Sequence, residues 1–250
     1  MERPRLLLMP GLALSELDWP IRPKLEEWAD VASFDAPGVG GEPDPDRFGH
    51  QAIVERGLAE VDRLGWDRWF VLGDEVGAAL AVLAAAERPE AALGVALGHP
   101  CLSLNRNRDR AAVTREMGEA LTQVIRSDFR THARHLTQLT QGAYDDELAE
   151  RYMERVPRVV AERYMRSLLL DDPPDVEHAL RLLGVPLLLV EHDGCLMWTR
   201  EGYEDAVAAR PDGRTASLSA KPSTSPEFVT LLRSFCQDVL AQREREQAPQ

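Results

Sequence analysis

The chain has 250 residues, 44% of them apolar and 28% charged, which is enough sequence and enough apolar side chain for one soluble globular domain with an inserted subdomain. Its formal net charge of −13 argues against a surface for nucleic acid or anionic lipid, since both select Lys/Arg-rich faces. No apolar run reaches membrane-spanning length, and the first apolar stretch, Leu6-Leu7-Leu8-Met9, is too short for a signal-peptide core and reads as a buried strand. The cysteines, Cys101, Cys195 and Cys236, are odd in number and widely spaced, so the expectation is free thiols in a reducing, cytoplasmic setting.

Short apolar runs alternate with helical periods, the pattern of a parallel sheet covered by helices. Strands are expected at residues 5–9, 31–34, 69–73, 93–97, 186–190 and 215–219. Helices are expected at 21–28, whose Pro20 and Pro23 suit a first turn, and at 48–64, 77–87, 202–209 and 226–244. The Pro/Gly-rich stretch 36–46 reads as loop. From 102 to 183 the pattern is helical without a convincing strand. The expected organisation is therefore an α/β core of residues 1–101 and 184–250, interrupted by a helical cap of residues 102–183.

Three stretches carry a resemblance. The first is Leu6-Leu7-Leu8-Met9-Pro10-Gly11-Leu12, followed by Ser15 and Trp19. The second is Phe34-Asp35-Ala36-Pro37-Gly38-Val39-Gly40. The third is Phe70-Val71-Leu72-Gly73-Asp74-Glu75-Val76-Gly77, after Leu64-Gly65 and before the small residues Ala81 and Ala85. Together they resemble the α/β-hydrolase family: its oxyanion-donating loop with Pro10 in the usual His position, its Asp-x-Pro-Gly-x-Gly turn, and its G-x-S-x-G nucleophile elbow with Glu75 in the serine position. The resemblance implies an α/β-hydrolase fold, a mostly parallel twisted sheet flanked by helices, with the inserted helices in the place of a cap.

It also implies a nucleophile, a base and an orienting acid, and the sequence departs at each. Glu75 replaces the serine. The region after the last strand, residues 217–228, contains no His, and Lys221 is its nearest ionisable residue. The acid position falls on Cys195, or on Asp193 after a shift of two. Ordinary serine-ester hydrolysis is not expected, although Ser15 remains as another hydroxyl in the first loop.

The chemistry then rests on Glu75, at the start of a helix whose dipole and free N–H groups favour a carboxylate by ~0.3–1 kcal/mol. With oxyanion donors at Leu12 and Val76 it could fold back into the hole as a quiet anion; the neighbouring Asp74 and a dry site would instead raise its pKa. His99 and His192 end strands at the carboxyl edge of the sheet, where ligands bind in parallel α/β folds, so a pair of Glu75 with either is an acid/base candidate. Trp19 and Trp198 are expected at the pocket mouth. His132, His135 and His178 fall in the helical segment and are expected at the surface. Short-spaced metal ligands and a complete dinucleotide motif are both absent, so no metal and no cofactor is expected. The expectation is an acid/base enzyme acting on a small, mostly apolar organic substrate, or else a ligand-binding relative without catalysis; the oligomeric state stays open.

Overall fold

The computed structural model describes residues 3–98, 100, 108–170, 176–192, 207–208, 210 and 212–247. Its strands are β1 (Arg5–Leu8), β2 (Asp30–Ser33), β3 (Trp69–Asp74), β4 (Ala92–Gly98), β5 (Leu187–His192) and β6 (Arg214–Leu218). They form one sheet of order β2-β1-β3-β4-β5-β6, parallel at every junction. The four central strands are continuous apolar runs because both of their faces are covered. Edge strands β2 and β6 alternate in burial instead.

Alternate side chains feed two cores. Leu7, Val71, Val95, Leu97, Leu187 and Leu189 pack beneath α2 (His50–Arg63) and α3 (Val76–Glu87). Leu6, Leu8, Phe70, Leu72, Leu188 and Val190 pack beneath α1 (Arg22–Glu26) and the closing helix α9 (Pro226–Gln247), through Leu25, Phe228, Leu232 and Phe235. Each such Leu removed from water contributes ~1.5–3 kcal/mol before the entropy of ordering it. Helix α3 is apolar on all sides, as an element buried on all sides must be: one flank meets β3 and the other meets α2 and α8.

Between β4 and β5 the described residues are helical: α4 (Arg108–Ser127), α5 (Phe129–Gln141), α6 (Asp146–Arg155), α7 (Arg158–Leu169) and α8 (Val176–Leu182). Asp128 and Asp145 accept the amides of Thr131 and Leu148 to start α5 and α6 (3.0 and 2.9 Å). The group is fastened to the turn after β2. Arg155 makes a forked ion pair with Asp35, its Nη2 2.7 Å from Oδ2, and also reaches Glu16 at 3.0 Å. The Tyr164 hydroxyl donates to the Pro37 carbonyl at 3.0 Å, and the Gly40 amide donates to the Arg155 carbonyl at 2.9 Å. Gly40 has φ +61, and a Cβ there would stand 1.9 Å from Asp35 Oδ2, so this turn and its ion pair both require glycine.

The predicted strands and helices agree with the structure to within a few residues wherever it describes them. Most of the helix expected at 202–209 lies outside the described residues. One expectation is corrected: His132 is 2% exposed, not a surface residue. It stacks on Phe129 (centroids 6.0 Å apart) and lies beside Tyr152 (5.9 Å), because α5 turns this face toward α6.

Candidate active site at the strand–helix elbow

β3 ends at Asp74 and α3 begins at Val76, so Glu75 makes the whole turn alone. Its φ of +53 and ψ of −117 are a conformation that non-glycine residues avoid. The glycines on either side allow it. A Cβ at Gly73 would lie 1.9 Å from the Gly77 carbonyl oxygen, and one at Gly77 would press on the Pro10 and Met9 carbonyls at 3.0 and 3.1 Å. The Glu75 amide is anchored to the Gly98 carbonyl at 2.9 Å. The elbow is thus held at the carboxyl edge of the sheet, with the Glu75 side chain projecting beyond it.

That carboxylate meets Lys221. The Lys221 ammonium donates to Glu75 Oε1, and both side chains are largely buried, 14% and 12% exposed. Lys221 immediately precedes the 3-10 turn Pro222–Thr224, where the sequence offers no histidine. Two more carboxyls share the crevice. Asp74, the residue before the elbow, is 9% exposed, and its Oδ1 has no hydrogen-bond partner. Asp18 ends the 3-10 turn Glu16–Asp18 and accepts the amides of Gly11 and Ala13 at 2.7 and 3.0 Å.

Burial sets the proton affinity of both. Desolvation pushes the Asp18 carboxyl up to about 7, outweighing the amides that stabilise its anion, and the nearby Glu75 charge adds to the rise. Asp74 is likewise pushed up to about 7, by desolvation first and by Glu75 second; Ser223 and the Lys221 charge pull the other way. Two carboxyls that exchange protons near neutrality thus flank an ion-paired one.

Met9, Gly11, Asp18, Trp19, Asp74, Glu75, Lys221 and Ser223 line a cavity of about 10 Å³, room for about one water. Trp19 is 3% exposed, and its indole N–H donates to the Met9 carbonyl at 2.9 Å. Of the residues singled out from sequence, Glu75, Asp74, Trp19 and Lys221 meet here. Leu12 lies between the two amides that Asp18 accepts, and Val76 opens α3; both are buried.

His192 ends β5 opposite Leu218, two strands from β3 and hence about 10 Å away laterally, and it is not among the lining residues. Among the described residues the cation that meets Glu75 is Lys221. His99, Trp198, Cys101, Asp193 and Cys195 lie outside the described residues. Ser15 caps the first 3-10 turn, accepting the Leu17 amide at 3.1 Å, and is 0% exposed.

Sequence reasoning missed Asp18. The available signal was an acid beside Trp19 in the Gly11 loop, but nothing in the spacing says that this loop folds back on it. A broader groove of about 1180 Å³ runs along the start of α2, past Phe48, His50 and Arg56 to Leu83 and Leu170; none of the candidate residues line it. The strained elbow and its clustered charges favour the small crevice as the chemical site.

The sheet order, the flanking helices and the elbow together define the α/β-hydrolase fold, and the chain has that fold. Its structure is similar to a hydrolase from Oleispira antarctica (TM-score 0.74, 16% identity, 95% of this chain and 92% of that one). It is similar also to a bromoperoxidase from Bacillus anthracis (TM-score 0.77, 14% identity, 94% and 92%). A thermophilic esterase from Thermogutta terrifontis is a further likeness (TM-score 0.71, 18% identity, 96% and 91%). Among curated sequences, the biotin biosynthesis bifunctional protein BioHC of Cellvibrio japonicus is 29% identical over 206 residues, 77% of this chain. The chain spans 39% of that relative's length. No family model matches. Among the described residues no helix is long and apolar enough to cross a membrane, and no group of three or more His, Cys, Asp or Glu is placed to hold a metal ion.

Proposed function

We propose that the chain is an enzyme of the α/β-hydrolase fold that moves protons on a small organic substrate without a serine ester, Glu75 acting as the acid/base group. The observation that carries this reading is the elbow itself. Its backbone strain, on the order of 1–3 kcal/mol, is retained around a carboxylate that is ion-paired and flanked by two carboxyls titrating near 7. Strain persists where surrounding structure over-determines it, and such places are commonly functional. Acid/base roles arise where neighbouring carboxyls are held in different environments. Here Glu75 takes a proton from the substrate, and Asp74, half protonated near neutrality, returns one; the net reaction is an isomerisation, cyclisation, elimination or epoxide opening. The helices α4–α8 act as the cap over the site, with Leu12 and Val76 supplying amides for developing negative charge. The hydrolase, esterase and bromoperoxidase named above support an enzyme on this fold.

A second reading, a ligand-binding protein without catalysis, draws on one observation: the crevice is small and Glu75 is already neutralised by Lys221. The two separate in one experiment. The purified protein and its Glu75→Gln variant are incubated with a small-molecule extract of the cells it comes from, and mass spectrometry follows losses and gains. Conversion by the wild type alone supports the enzyme. Retention of one compound, unchanged, by both proteins sinks it in favour of binding.

A further inference from the structure

We infer that Lys221 is a nucleophile: its amine, relieved of a proton by Glu75, captures the carbonyl carbon of a small aldehyde or ketone as an imine. Turnover of the captured compound rests on the acid/base reading proposed above; capture itself does not.

The choice of cation at this position is the starting point. Of the 29 basic residues only two are lysines, Lys24 and Lys221. Arginine is the cation in the ion pairs with Asp35, Glu60, Asp62, Glu162 and Asp238. A pair that only neutralised Glu75 would be served as well by arginine, whose fixed fork matches a carboxylate. Lysine differs in one chemical respect: in a dry site it can give up its proton and leave a nucleophilic amine, whereas a guanidinium stays protonated. The chain sets that side chain, 14% exposed, against the carboxylate that projects from the strained elbow.

The surroundings fit the same chemistry. The Lys221 ammonium already donates to Glu75 Oε1, so the acceptor for its proton is in place. Asp18 and Asp74 line the same crevice, with Met9 and Trp19 as apolar walls. Burial pushes both carboxyls up to about 7, so near neutrality they are partly uncharged and hold the ammonium less firmly than three carboxylates would. About 10 Å³ is free, room for about one water. A carbonyl oxygen fits that space, and its substituents stay outside it.

Glu75 accepts one ammonium proton. The nitrogen lone pair attacks the carbonyl carbon, and the C=O π pair moves to oxygen. A second nitrogen proton passes to that oxygen, Glu75 returns the first, and water leaves as the nitrogen pair forms C=N. One carbonyl and one ammonium have become one iminium and one water, with every carboxyl as it began. The iminium draws electrons from the adjacent C–H, and that is the proton Glu75 then moves in an isomerisation or elimination.

The test uses the intact chain at pH 7 with butanal and cyanoborohydride, which reduces an iminium to a stable secondary amine; digestion and mass spectrometry locate and time the added butyl group. Lys221 is expected to be alkylated at least ~10-fold faster than Lys24, which is exposed. Glu75→Gln is expected to slow Lys221 at least ~10-fold and to leave Lys24 unchanged. Should Glu75→Gln fail to fold by circular dichroism, Glu75→Asp keeps the acid on a shorter stem, and a smaller slowing of Lys221 is expected. Equal alkylation of the two lysines, or a Lys221 that reacts as fast in the Glu75 variant that folds, overturns the nucleophile. Lys221→Arg keeps the charge and the pair but forms no imine. Alkylation of Lys221 without conversion of any extract compound sinks the acid/base reading and leaves capture; Glu75-dependent conversion that survives in Lys221→Arg sinks capture and leaves that reading.

Discussion

At the scale of single residues, the elbow makes the sharpest demands. Gly73→Ala puts a methyl 1.9 Å from a backbone oxygen that cannot move without shifting α3, so a loss of about 3 kcal/mol or more, or failure to fold, is expected. Gly77→Ala, with contacts of 3.0–3.1 Å, should cost nearer 1 kcal/mol. Urea unfolding of the two variants measures the ranking. Chemistry at the same turn is equally testable. Glu75→Ser restores a hydroxyl but places no histidine beside it; release of p-nitrophenolate from p-nitrophenyl acetate is expected to stay at background. Adding Lys221→His supplies a base beside that hydroxyl, and turnover above both single variants is expected. Equal rates for Glu75→Ser with and without the histidine would show that position 221 is not where a base can act.

At the scale of elements, α6 is held to the turn after β2 by a partly buried ion pair as well as by the Gly40 amide. Asp35 is 8% exposed, so Arg155→Ala leaves a buried carboxylate without its partner. A third of the arginine is exposed, which moderates the loss to about 2 kcal/mol, below the range for fully buried pairs. Arg88, which pairs with Asp62 at the surface, makes two equally short contacts. Arg88→Ala is nevertheless expected to change stability little, because solvent replaces what is lost there. Thermal denaturation of both variants decides whether burial, more than distance, sets the value of these pairs. The Pro-Gly turn was legible in sequence, since its glycines mark positive φ; the arginine that reads it, 120 residues away, was not.

For the molecule as a whole, buried titratable groups set opposing slopes of stability against pH. Asp18 and Asp74 hold protons up to about 7 in the fold but release them near 3.8 when unfolded. The folded state then binds more protons between those values, so their contribution falls as pH rises through that window and is constant above it. His50 and His132 are held neutral by burial down to about 4, against 6.5 unfolded. There the unfolded state binds more protons, and their contribution rises with pH between about 4 and 6.5. The two trends oppose each other across pH 4–6.5. Asp74→Asn removes part of the falling trend, so its midpoint should climb more steeply with pH than wild type; His132→Phe should climb less. Circular dichroism melts from pH 4 to 8 test both, and unchanged slopes would place these groups near their ordinary values in the fold.

The sequence by itself determined the sheet, the helices and the elbow. Each rests on local rules: apolar runs that need two covered faces, helical periods, and glycines where a Cβ meets backbone. It also located Glu75, Asp74 and Trp19, because the elbow and the first loop are short, contiguous signals. Only the tertiary structure decided what surrounds Glu75. Asp18 and Lys221 come from loops 57 and 146 residues away along the chain, brought to one crevice by the order of parallel strands. His132 was assigned to the surface and is buried for the same reason. Whether a polar side chain faces water or another helix is fixed by which elements pack together, and that choice is made by the whole core at once.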